Sequence, residues 1–130
     1  GKANVLKQGD DVTIVTYGYG VHWALDVLEN DGSISADLID LRTLAPLDWD
    51  TIMTSVKKTG KVIVLHEDVE IGGIGGEIVT QINEQCFEYL DAPIRRVGAI
   101  NTPVPFAVSL EENFLPKDRF KEVLQELLDY

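Results

Sequence analysis

Four short strings in this sequence carry residue types that could do chemistry. His66-Glu67-Asp68 sets an imidazole beside two carboxylates, as a general base with its orienting acid would require. Gly18-Tyr19-Gly20 is followed by Asp40, twenty positions beyond Gly20, which imitates the glycine turn and ribose-binding acid of a dinucleotide site. Trp23 occupies the place of the third glycine, where tight packing of helix on strand needs a small residue, so a strand-to-helix turn explains the two glycines better. Gly72-Gly73-Ile74-Gly75-Gly76-Glu77 precedes a helical pattern, and free amides at a helix start can cradle an anion. The lysine and hydroxyl of a phosphate loop are missing there, and Glu77 already complements the helix dipole. Close approach of two backbones, as in a dimer contact, is the favoured use of these glycines. Cys86, the only cysteine, shares the apolar stripe of its helix and reads as a buried structural thiol. His22 and His66, the two histidines, make no zinc pattern. With no serine elbow and no second cysteine, no catalytic residue, bound cofactor or metal site is expected within the chain, and His66 reads as structural or interfacial.

The elements that must position these residues follow from periodicity. Short apolar runs alternate with helical patterns, the signature of βαβ units and a mainly parallel sheet. Strands are expected at Val12–Tyr17, at Ala36–Leu41 with one drier face, at Lys61–His66 covered on both faces, and at Ile94–Val97 as a more exposed strand near an edge. Val5-Leu6 adds a short extra strand. One helix carries Val21, Leu25 and Leu28; a second carries Trp49, Ile52, Met53 and Val56 and stops at Gly60. A third starts after the glycine run and buries Ile78, Val79, Ile82 and Cys86; a fourth begins at Pro116 and buries Phe120, Val123, Leu124, Leu127 and Leu128. Asn101-Thr102-Pro103-Val104-Pro105-Phe106 reads as a rigid extended loop. Right-handed crossovers send the Val62 strand back to the far side of the first strand, so the order reverses between them. The crevice at that reversal would be lined by Tyr17-Gly18-Tyr19-Gly20 and His66-Glu67-Asp68.

At 130 residues the chain is expected to be a single domain, 1–130, able to form its own core. Eleven basic against 22 acidic residues leave a net charge of -11, which disfavours nucleic acid and anionic membrane as partners and suits a basic protein. No apolar run approaches a membrane span, and no signal core opens the chain. Met53 being the only methionine, a piece of a longer protein is expected. Glu84 and Glu88 repeat at helical spacing with Asp91 close behind; Asp118, Glu122 and Glu126 do the same, followed by Asp129 and the Tyr130 carboxylate. Such like-charged runs suit either a solvated face or a docking surface for a basic partner.

Together the strings resemble the C-terminal domain of the beta subunit of thiamine-diphosphate-dependent 2-oxoacid dehydrogenases, the transketolase C-terminal fold. The resemblance rests on Asp40-Leu41-Arg42-Thr43-Leu44-Ala45-Pro46-Leu47-Asp48, Ser55-Val56-Lys57-Lys58-Thr59-Gly60-Lys61 and His66-Glu67. It continues through Gly72-Gly73-Ile74-Gly75-Gly76-Glu77-Ile78, Cys86-Phe87-Glu88-Tyr89-Leu90-Asp91-Ala92-Pro93, Arg96-Val97 and Thr102-Pro103-Val104-Pro105-Phe106. His66-Glu67 and Cys86-Phe87 look most like the branched-chain, 2-oxoisovalerate enzymes. The resemblance implies a three-layer α/β/α fold on a mostly parallel five-stranded sheet with one antiparallel edge strand, here Val5-Leu6. It implies thiamine diphosphate and magnesium in the full enzyme, held by an alpha subunit and an N-terminal beta domain that this sequence does not contain. For this domain it implies association with the alpha subunit and a second beta subunit, with His66, Glu67, Gly72, Gly73, Gly75 and Gly76 as interface candidates. It also implies docking of the dihydrolipoyl acyltransferase's basic peripheral subunit-binding domain, with Glu84, Glu88, Asp91 and Tyr130 as candidates. A cytoplasmic location in bacteria, or the mitochondrial matrix in eukaryotes, goes with the family.

Overall fold

The structure, a computed structural model, describes residues 1–69, 73–99 and 117–130. Five strands form one sheet: β1 (Asn4–Lys7), β2 (Val12–Thr16), β3 (Ala36–Asp40), β4 (Val62–Val69) and β5 (Arg95–Ala99). Their order is β1-β3-β2-β4-β5, parallel throughout except for β1, which runs antiparallel to β3. The sheet therefore reverses direction of growth between β2 and β4, as the apolar runs and crossover handedness require. Among the described residues four helices cover it: α1 (Tyr19–Asn30), α2 (Trp49–Thr59), α3 (Ile74–Cys86) and α4 (Lys117–Leu128). A 3₁₀ turn, Phe87–Tyr89, follows α3.

The core lies in two slabs, one on each sheet face. Ile14, Leu38, Ile63 and Leu65 meet Ala24 and Leu28 of α1 and Phe120 and Leu124 of α4. Val15, Ile39 and Val64 meet Ile52 and Val56 of α2 and Ile78, Ile82 and Cys86 of α3. This is the three-layer arrangement expected of strands that are apolar on both faces.

Several expectations need correcting. β3 is not dry on one face only, because Ala36, Asp37, Leu38 and Ile39 are all buried. Asp37 tolerates this because its Oδ1 accepts from Lys58 Nζ at 2.8 Å and from Gly9 N at 2.9 Å, while Ser55 Oγ donates to Oδ2 at 2.6 Å. β4 runs on past His66 to Val69, because after an irregularity beyond Leu65 the pairing with β5 resumes at Val69 opposite Ala99. β5 sits at the end of the described sheet, yet Val97, Gly98 and Ala99 are buried. Helix α3 starts at Ile74, so Gly75 and Gly76 lie in its first turn rather than in a preceding bend. Val79, Val123 and Leu128 are only half-buried. The Asn101–Phe106 loop, Pro116 and Gly72 lie outside the described residues.

Candidate functional site

The switch between β2 and β4 is where chemistry would be sought first, and here Tyr17 and Asp68 bridge it. The β2 chain leaves the sheet at Tyr17, turns at Gly18 with φ +59°, and enters α1 at Tyr19. Gly20 fits because a side chain there would run into Thr16 Oγ1 and approach Leu65 O. From β4, Asp68 Oδ2 accepts a 2.8 Å hydrogen bond from Tyr17 OH, which ties the two strand ends together across the crevice. Burial pushes the Tyr17 phenol above its ordinary value, with the Asp68 hydrogen bond and the Asp68 and Glu67 charges adding to it, so Tyr17 remains a neutral donor. His66 stacks on Tyr17 with ring centroids 6.4 Å apart and planes 19° from parallel.

This geometry does not make His66 a base with an orienting acid. The imidazole is fully buried, and its Nδ1 lies 2.9 Å from the backbone oxygen of Asp68 rather than from either neighbouring carboxylate. Helix α3 passes directly over it: a Cβ on Gly75 would sit 2.5 Å from His66 Nε2. His66 is an interior support for α3. Glu67 is exposed, Gly73 and Gly76 are half-buried and Gly75 is buried. The dinucleotide imitation also dissolves. Asp40 Oδ1 accepts from the backbone N of Arg42 at 3.0 Å, holding that residue at φ +63°, and Glu67 Oε1 would lie 3.3 Å from a Cβ on Gly18. A carboxylate faces the glycine turn where a phosphate would have to bind.

Among the described residues no three His, Cys, Asp or Glu side chains are grouped to hold a metal. Tyr17, His66 and Asp68 occupy the described part of the switch crevice. Cys86 Sγ approaches Met53 Sδ at 3.3 Å in the core, and burial raises its thiol above the ordinary value, against a small opposite pull from Lys57. No described helix is long and apolar enough to cross a membrane.

The docking candidates behave differently. Glu88, Asp91 and Tyr130 come together around one open groove of about 780 Å³, between the end of α3, the 3₁₀ turn and the chain end. Its floor is apolar, from Leu90, Ala92 and Ile94. Glu84 stands one turn earlier on α3, exposed, outside that lining. Asp91 is fixed by its backbone, whose N–H donates to Gly60 O at 2.8 Å just past the end of α2. Among the described residues none of these carboxylates has a salt-bridge partner, whereas on α4 Glu126 pairs with Arg95 at 3.0 Å. The acidic character of the groove is thus uncompensated, and that of the final helix is partly neutralised. Sequence reasoning singled out the acids here but not Phe87, which is 68% exposed. The available signal was its place one step off the Ile78, Ile82, Cys86 stripe, where a helix turns its side chains outward.

The family model of the transketolase C-terminal domain matches residues 1–119. The chain belongs to that family. The pyruvate dehydrogenase E1 component subunit beta of Rickettsia bellii is 48% identical over 121 residues, covering 91% of this chain and 37% of that protein. The Bacillus subtilis 2-oxoisovalerate dehydrogenase subunit beta is 42% identical over 135 residues, covering 100% of this chain and 41% of that one. The Bacillus subtilis pyruvate dehydrogenase E1 beta subunit is 46% identical, covering 96% and 38%. This transketolase C-terminal domain thus spans about two-fifths of the length of the relatives it matches. Among solved structures, a split-gene transketolase described as an inactive beta4 tetramer superposes with a TM-score of 0.81 at 28% identity, covering 98% of this chain and 41% of that one. The fold expected of the family, with one antiparallel edge strand, is the fold observed.

Proposed function

We propose that this domain is the C-terminal assembly module of a longer beta subunit in a thiamine-diphosphate-dependent 2-oxoacid dehydrogenase. Its work is to join the beta subunit to its partners. The observation that carries this is the groove in which Glu88, Asp91 and Tyr130 converge without a compensating cation among the described residues. A basic peripheral subunit-binding domain of the dihydrolipoyl acyltransferase would be drawn to it by opposite charge, with Glu84 extending the negative field along α3. His66, Glu67, Gly72, Gly73, Gly75 and Gly76 are the residues assigned to association with the alpha subunit and a second beta subunit.

Thiamine diphosphate and magnesium belong, in this proposal, to the alpha subunit and the preceding beta domain. When bound there they supply the chemistry for oxidative decarboxylation of a 2-oxo acid and acylation of lipoyl groups. Relatives named for pyruvate and for 2-oxoisovalerate match at similar identity, 46–48% and 42%. We take 2-oxoisovalerate as the substrate, supported by the His66-Glu67 and Cys86-Phe87 wording and by a 2-oxoisovalerate relative that aligns over the whole chain.

Two measurements on the complete beta subunit, assembled with its alpha subunit, test this. Titrating the docking domain at low and raised salt should show binding that weakens with salt and with Glu88→Ala. Assays with 2-oxoisovalerate, pyruvate and sugar phosphates should favour the first. Preference for pyruvate would overturn the branched-chain assignment alone, while turnover of only sugar phosphates would overturn the dehydrogenase reading.

A further inference from the structure

Helix α1 faces α4 across a groove of about 380 Å³, a volume ordinary for a small-molecule site. Its floor is aliphatic, formed by Val27, Ile34 and Leu124 at the outer limit of one core slab. Its walls carry opposite charge, Asp26 and Asp31 from the α1 side against Lys117 and Lys121 from α4. The first of these pairs is closed: Lys117 Nζ lies 3.0 Å from Asp26 Oδ2, and Asn30 Nδ2 donates to Asp26 Oδ1 at 3.3 Å. The second is open. Hydrogen bonds from Ser33 hold the Asp31 carboxyl below its ordinary value and the Lys121 charge adds to this, yet among the described residues no ion pair joins Asp31 to Lys121. Both Ser33 bonds, from N and from Oγ, end on Asp31 Oδ1, so Oδ2 is left uncommitted among the described residues. Asp31 also ends α1, whose last turn has no basic residue to complement the negative end of the helix. The groove therefore offers a place for a cation beside Asp31 and for an anion beside Lys121, over an aliphatic floor.

We propose that this open pair binds a free aliphatic α-amino acid. The ammonium group of the ligand donates to Asp31 Oδ2, its carboxylate accepts from Lys121 Nζ, and its side chain covers Val27, Ile34 and Leu124. Both polar contacts are charge-assisted, the stronger class of hydrogen bond. A zwitterion suits the groove better than a simple acid. It carries no net charge for the chain's -11 to repel, whereas Asp118 at the rim opposes a lone carboxylate. A simple amine would leave Lys121 without a counter-charge. The site does not depend on the function proposed above.

The test is calorimetric titration of leucine into the complete beta subunit assembled with its alpha subunit. Isocaproate, which lacks the ammonium group, and isoamylamine, which lacks the carboxylate, are titrated beside it. Leucine is expected to saturate, with each of the other two binding about tenfold more weakly or less. Lys121→Gln and Asp31→Asn keep a polar side chain at an exposed position, so both should fold, and each should weaken leucine binding about tenfold. Glu29→Gln, which removes an exposed acid of α1 outside the groove lining, should leave leucine binding unchanged. Absence of saturable heat with leucine would overturn the proposal, as would binding that Lys121→Gln and Asp31→Asn both leave within about twofold of the unaltered protein. Isocaproate or isoamylamine binding as tightly as leucine would equally overturn it, since recognition would then use one charge only.

Discussion

Gly75 and His66 show how one missing side chain sets the position of a helix. Alanine elsewhere in a helix gains up to about 1 kcal/mol over glycine. At Gly75, however, the added Cβ would meet His66 Nε2 at 2.5 Å and Cδ2 at 2.9 Å, and that ring is fully buried between Tyr17 and α3. Overpacking outweighs propensity, so Gly75→Ala is expected to lower stability by about 1–3 kcal/mol in urea unfolding. A higher denaturation midpoint would contradict the close packing. Asp37 gives a pH dependence of definite sign. Burial pushes its carboxyl up, but hydrogen bonds from Lys58, Ser55 and Gly9 N outweigh that and hold it below the ordinary value. Its stabilising effect is therefore complete above the unfolded value of about 3.9 and is lost as pH falls through the lower folded value. Thermal unfolding followed from neutral to acid pH should show the unaltered protein losing stability more steeply than Asp37→Asn. Equal slopes would mean that Asp37 is not held in this network. Cys86, buried and with its thiol raised, should react with an aromatic disulfide reagent only after unfolding; rapid reaction of the native protein would place it at the surface instead.

At the scale of elements, α2 is the helix whose stop, at Gly60, was readable. Asp48 caps its start, accepting from Thr51 N at 3.2 Å and from Ala3 N at 3.0 Å, and Gly60 ends it at φ +73°. Gly60→Ala is expected to cost about 1–2 kcal/mol from the left-handed backbone alone. The new Cβ would also press on the Asp91 carboxylate. This variant should therefore lose stability and docking affinity together, as unfolding and titration on the same preparation would show. Strand order was legible because unbroken apolar runs identify buried parallel strands and handedness limits their arrangement. What stayed hidden were interactions between residues far apart in the chain. Asp37 looked like the polar half of an alternating strand until Ser55 and Lys58 came beside it. His66-Glu67-Asp68 looked like a strand end, yet pairing with β5 resumes beyond it at Val69. The glycine run looked like a bend because nothing local reveals the His66 ring that Gly75 must clear. The acidic groove was half legible: Glu88, Asp91 and Tyr130 were identified as a set, but only folding brings Phe87 and the apolar floor beneath them.

For the molecule as a whole, charge and shape assign different work to different ends. At the carboxyl edge of the sheet, where related architectures place ligands, Tyr17 and Asp68 bridge the ends of β2 and β4. The groove beside the 3₁₀ turn is open and unneutralised among the described residues, while the acids of α4 are partly paired to Arg95 and Asp26 is paired to Lys117. Net charge alone would attract a basic protein to many faces, so location is the stricter question. A charge-swap titration answers it most directly. Glu88→Lys in the assembled enzyme should weaken binding of the docking domain at least tenfold, about 1.4 kcal/mol. A basic-to-acidic change in the docking domain should then restore part of that loss with Glu88→Lys while weakening binding to the unaltered enzyme. Binding unchanged by Glu88→Lys, at low salt where charge effects are largest, would contradict the assignment of this groove as the docking site.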